Sequence, residues 1–165
     1  MTTIKAIFFL IFFMAYSLTA SSQIKLADLL KVYSSNSINV AYRNISTLPS
    51  FKGSISIDSI TKDSIIIGKI TNDSILISRI KNKSKIELTI YKKSLFQSIR
   101  EQANQKLHFN GDYRRGSIEV SRHYYAYSDK ADMNIGDLWF IITECRRTDN
   151  RKTFYEIELT TFTDE

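Results

Sequence analysis

Apolar residues recur along this chain in two periods, and the switches between them predict the elements. In the stretch Ile24–Ser35, Leu26, Leu30 and Tyr33 stand at helical spacing with Leu29 beside them, which predicts a short amphipathic helix. Ile38–Tyr42 reads as a brief strand, and Asn44–Lys52 as a loop holding Pro49. From Gly53 to Lys92 the pattern changes to four ten-residue units, beginning at Gly53, Asp63, Asp73 and Lys83. Each unit holds an Ile-rich run closed by polar turn residues. Isoleucine is stiff at its first side-chain torsion and packs well on a pleated surface. Asn72-Asp73 and Asn82-Lys83 suit tight turns. The units therefore predict a meander of short antiparallel strands.

Helical spacing returns at Ser94–Leu107, where Leu95, Ile99 and Ala103 stand four apart and Ser94 is placed to cap the start. A short apolar strand is expected at Leu107–Phe109, and long strands over 116–127, 137–147 and 153–163. In the last of these Tyr155, Ile157 and Leu159 alternate with Glu156 and Glu158, giving one buried and one wet face. Leu138–Ile142 is apolar on both faces and reads as a central strand. Ser128–Gly136 and Thr148–Arg151 are the connecting loops. The fold class expected is α+β, mainly antiparallel, with about seven strands and two short helices.

The first residues bear on destination. Lys5 precedes an apolar run of 11 residues, Ala6–Tyr16, and small and polar residues follow to Gln23. A positive start, a short apolar middle and a small-residue exit make up a secretory signal peptide. The run is shorter than the ~20 residues a spanning helix needs. Residues 1–22 are thus read as a signal cleaved before Gln23, with Ala20 as the alternative site. No cysteine lies near the exit, so the expected product is not a lipoprotein and is periplasmic or secreted. Its removal takes away Lys5 and no acidic side chain, lowering the formal charge from +6 to +5. Residues 23–165 are the right length for a single domain. With Cys145 as the only cysteine, an internal disulfide is excluded and stability must come from the core.

Residues 53–99 resemble a small Sm-like or SH3-like barrel. Ser54–Ile57 is followed by Ile65–Ile70, with Gly68 where a bent second strand would need a glycine. Ile75–Ser78 and Lys85–Tyr91 continue the series into Lys92–Ile99. That ending is similar to the Tyr-Lys-His segment of the bacterial Sm-type RNA chaperone, with Lys93 where the family has His. The resemblance bears on fold and carries no RNA contacts over. The competing reading is a flat meander within one α+β sheet.

Candidate chemistry is sparse. Cys145 and a histidine can form a nucleophilic pair. A hairpin of 116–127 with 137–147 centred near Asp132 would set His123 opposite Ile141 and Cys145 opposite Glu119. The two would then lie ~14 Å apart along the sheet, far beyond hydrogen-bond reach. Asp129, Asp132, Asn134 and Asp137 crowd one loop, but their spacing misses the calcium-loop pattern. No metal site and no cofactor are expected. Tyr113, Arg114, Arg115, Arg122, Tyr125 and Tyr127 form the candidate binding surface, since arginines beside aromatics on a sheet bind single strands or anionic glycans and tyrosine-rich sheets are common at protein interfaces; the competing and favoured reading of the basic positions is a solvated rim. The mild charge and the signal argue against a nucleic-acid partner. The reading is an exported, non-catalytic binding or adaptor protein of the bacterial envelope or medium, whose partner is another envelope or secreted protein and which is open to oligomer formation. The alternatives are an exported hydrolase with unrecognised carboxylates and a binder of an anionic polymer.

Overall fold

The structure is a computed structural model that describes residues 24–162 except 49, 71–72, 81–82 and 133, with the backbone alone for 73–80 and 83–84. Residues 1–22, where a signal peptide is expected, Pro49 and parts of the two meander turns lie outside the described residues. Among the described residues three helices, α1 (Leu26–Tyr33), α2 (Ile38–Ser46) and α3 (Lys93–Lys106), accompany eight strands. The strands are β1 (Phe51–Ile57), β2 (Ser64–Ile70), β3 (Asp73–Ile80), β4 (Lys83–Ile90), β5 (His108–Gly116), β6 (Val120–Ser128), β7 (Leu138–Arg147) and β8 (Thr153–Thr161). The chain is α+β with mainly antiparallel strands.

All eight strands join one sheet in the order β1-β2-β3-β4-β8-β7-β6-β5. It consists of two four-stranded meanders, each entered from a helix, that meet fourth strand to fourth strand at β4 and β8. The seam is antiparallel and sets Leu88 opposite Ile157. The ten-residue units are the first meander, so the segment is open and its last strand turns to β8 instead of closing a barrel.

Three elements differ from expectation. Ile38–Tyr42 is helical, not a strand. Ser37 accepts a hydrogen bond from the Val40 amide at 3.3 Å and caps α2. The apolar set Ile38, Ala41 and Ile45 has helical spacing once the window runs past Tyr42. Ser94 does not cap α3, because the N-cap is Lys92, without a side-chain bond. The strand expected over 116–127 begins at Val120, and His108–Gly116 is a separate nine-residue edge strand. Ser117 closes the turn between them, its Oγ accepting from the Val120 amide at 3.1 Å.

The helices cover one face of the sheet. Leu26, Leu29 and Val32 of α1, Ala41 and Ile45 of α2, and Leu95, Phe96, Ile99 and Ala103 of α3 meet Ile86, Leu88, Ile90, Phe140, Ile142, Tyr155, Ile157 and Leu159. The sheet residues are alternate positions of their strands, as period two requires. Phe96 stacks on Tyr155 with ring centroids 4.2 Å apart. At the far end Gly53 and Gly68 face each other across β1 and β2. The Phe51 ring lies over both, 2.5 Å and 2.3 Å from where their Cβ atoms would stand. Tyr42 donates to the Gly53 carbonyl at 3.0 Å, which ties α2 to the edge strand β1.

Candidate functional site

Among the described residues the opposite face of the sheet carries no helix, and strand registers decide what it presents. Arg115 pairs with Arg122, and Tyr113 with Tyr124. Arg122 pairs with Cys145, and Tyr124 with Thr143. Opposed residues in an antiparallel pair share a face. Tyr113, Arg115, Arg122, Tyr124, Thr143 and Cys145 therefore belong to the uncovered face. So does Glu156, opposite Thr143, and so do Glu158 and Glu87, opposite each other.

The six candidate residues divide three and three. Tyr113, Arg115 and Arg122 lie on the uncovered face. Tyr113 is half exposed and stacks on Tyr124, with centroids 4.5 Å apart and planes 7° from parallel. Partial burial raises the pKa of its hydroxyl. Arg114 points to the helix side, opposite His123. Tyr125 and Tyr127 do not belong to any surface patch, being 8% and 0% exposed. Tyr127 donates to Asn104 of α3 at 2.8 Å and packs in the core. Tyr125 lies under the Arg100 guanidinium, 3.7 Å from its ring centre. The alternation of β6 separates these tyrosines from Arg122 and Tyr124.

The uncovered face has a basic, aromatic end on β5 and β6 and an acidic middle on β4 and β8. Glu87, Thr89, Glu156 and Glu158 line a shallow depression. Lys85 bridges Glu87 at 2.7 Å and Glu158 at 3.2 Å. Burial lowers the Lys85 pKa, but the two carboxylates outweigh it and hold the amine above its ordinary value. Paired in this way, the carboxylates of Glu87 and Glu158 are engaged as counter-ions.

Cys145 is fully buried, beneath Arg122 and Glu156. Its thiol donates to a Glu156 carboxylate oxygen at 3.4 Å. Burial first, and then the Glu156 charge, push its pKa up to about 12. A thiol that holds its proton so firmly is not a nucleophile at ordinary pH. The β6–β7 register differs by three residues from the one expected: His123 faces Glu144, and Cys145 faces Arg122. An odd shift places His123 and Cys145 on opposite faces, which removes the catalytic pair on different grounds from the distance expected.

His123 is engaged on the helix side. Its Nε2 lies 2.5 Å from Asp112, and its Nδ1 3.0 Å from the Tyr125 hydroxyl. This chain was not legible in the sequence, because Asp112 belongs to the strand that sequence reading missed. In the β6–β7 loop, Asp137 takes Lys130 on one carboxylate oxygen and the Asn134 amide on the other, at 2.9 Å. The Lys130 and Asn134 bonds hold the Asp137 pKa below its usual value. No group of metal-ligating side chains occurs among the described residues. Asp58, after β1, accepts the Ile60 and Thr61 amides at 2.8 and 2.7 Å, so it serves the turn. Comparison with known proteins finds no matching family model, curated protein or solved structure.

Proposed function

We propose that this chain is an exported, non-catalytic binding protein, and that it recruits a protein partner with the uncovered face of its sheet. One observation carries the reading. Among the described residues one face of the eight-stranded sheet has no helix over it, and its β5–β6 end presents the Tyr113–Tyr124 stack beside Arg115 and Arg122. Tyrosine and arginine are the side chains enriched at recognition surfaces. The titratable groups nearby are engaged in structure: Cys145 with Glu156, Lys85 with two carboxylates, His123 with Asp112. Export rests on the pattern of residues 1–22.

In-cell crosslinking of the tagged chain, followed by mass spectrometry, tests both parts. One partner should be captured reproducibly and lost in a Tyr113→Ala, Tyr124→Ala double variant. The captured chain should begin at Gln23. A capture pattern indifferent to both tyrosines would refute the face as the binding surface. A chain retaining Met1 inside the cell would refute export.

The three arginines Arg115, Arg122 and Arg147, set on the same face by the strand registers, favour an anionic polymer as the second reading. Polymer binding falls steeply with added salt because counterions are released. Binding that is flat against salt would exclude it.

A further inference from the structure

The edge strand β5 is the outermost strand of its meander, and every residue along it is exposed except Gly111. Its outer side has no partner strand among the described residues. Exposed edges are usually protected by charge or by a bulge. Here the bulge lies between Phe109 and Gly111, which leaves Gly111–Arg115 as the pairing segment. The charges in that segment are Asp112, Arg114 and Arg115.

We infer that β5 pairs antiparallel with β5 of a second copy of this chain, about a two-fold axis at Tyr113. A two-fold pairing of identical strands must be centred on one residue. Centring on Asp112 sets Asp112 against itself, and centring on Arg114 or Arg115 sets arginine against arginine. Like charges directly opposite are destabilising. Centring on Tyr113 sets Asp112 of each copy opposite Arg114 of the other, twice. It also sets Arg115 opposite Gly111, which has no side chain and open space around its Cα. The charge pattern therefore selects one register from its neighbours. Asp112 is half exposed and already meets His123 through one oxygen, and its other oxygen is available to a guanidinium.

The axis stands perpendicular to the sheet, so the helices of both copies lie on one side and the uncovered faces on the other. Tyr113 already stacks on Tyr124 within each copy. The pairing brings the two Tyr113 rings together and makes a row of four tyrosines across the junction. The result is a sixteen-stranded sheet, twice the eight of one copy, with a continuous uncovered face. This inference stands independently of the binding reading above, since the edge pairs by its own charges whatever the face recruits.

The test combines crosslinking with sedimentation equilibrium on the purified chain. Directly opposed residues in an antiparallel pair have Cα atoms roughly 5 Å apart, within disulfide range. Tyr113→Cys should form a disulfide-linked dimer on mild oxidation. Arg115→Cys should not, because the two positions stand ~14 Å apart along the strands. The native Cys145 is buried and does not interfere. Sedimentation should show a dimer for the unaltered chain. Asp112→Arg and Arg114→Asp should each weaken it about tenfold, and the two together should restore it. Near-ultraviolet circular dichroism verifies that each variant is folded. A monomer throughout would overturn the inference, and so would a dimer that crosslinks through Arg115→Cys but not Tyr113→Cys.

Discussion

The two halves of the sheet share a plan and differ in what they expose. Each runs from helix into four sequential strands, and they join at β4 and β8. The first half ends in β1, whose only charge is Lys52 and whose Ile55 and Ile57 are 39% and 65% exposed. The second half ends in β5, with three charged residues in its pairing segment. The first half takes its shape from a glycine slot filled by Phe51, and the second from buried Tyr127 and Phe140. The same topology can thus be held by local backbone fit or by large side chains at the core, and each leaves a different kind of edge.

The largest test of this contrast is Phe140→Ala, which empties a fully buried ring site. It should lower unfolding free energy by about 3–5 kcal/mol in denaturant titration. Both halves should still unfold in one transition, because the β4–β8 ladder couples them. Two separate transitions would show that the halves are independent units.

Gly53→Ala should come next, at about 1–3 kcal/mol, since the new methyl meets the Ile67 carbonyl oxygen at 2.5 Å and backbone must shift. Gly68→Ala meets the Phe51 ring first, and its nearest backbone oxygen is 3.2 Å away, so it should be milder. Equal losses would mean that the ring is as immovable as the strand.

A smaller effect is set by pH. The folded Cys145 thiol binds its proton more tightly than the unfolded thiol, with a pKa of about 12 against 9.0. Its contribution is complete below pH 9.0 and is lost as pH rises toward about 12. Stability should therefore fall less steeply over that interval in Cys145→Ser than in the unaltered chain. Parallel curves would show that burial does not hold the proton. The least effect belongs to the β6–β7 loop. Asp137 has a lowered pKa, so its contribution is present above 3.8 and fades as pH falls below it. Asp137→Asn should flatten the acid limb of the thermal midpoint slightly, and an unchanged limb would remove the Lys130 contact from the account.

How much of this was legible depended on burial. The meander could be read because each Ile run recurs with its turn, and the pairing of adjacent strands followed. Strand β8 shows itself by alternation, β7 by a run apolar on both faces, and α1 and α3 by helical spacing. Strand β5 is not legible because its Asn110, Gly111 and Asp112 are poor strand formers and its exposure leaves no apolar alternation. Helix α2 was misread because Ile45, which completes its apolar stripe, lay beyond the window considered. The site suffered from the same source. Tyrosine and arginine were grouped by nearness in sequence, whereas a pleated strand sends neighbours to opposite faces. Tyr125 and Tyr127 went to the core for that reason, and Tyr124, one position away, went to the uncovered face.

The central place of β8 has a consequence for the order of assembly. Neighbouring hairpins close within about 1–10 μs, since little chain must be gathered. Among the described strand pairings the β4–β8 ladder joins the segments farthest apart in sequence, so of these ladders it carries the largest closure entropy and comes late. As the chain emerges, the whole first half-sheet and three strands of the second precede β8. Until β8 emerges, β4 and β7 stand as two open inner edges. A chain arrested at that point is the species most exposed to misassembly, and a chaperone that shields those edges would protect it.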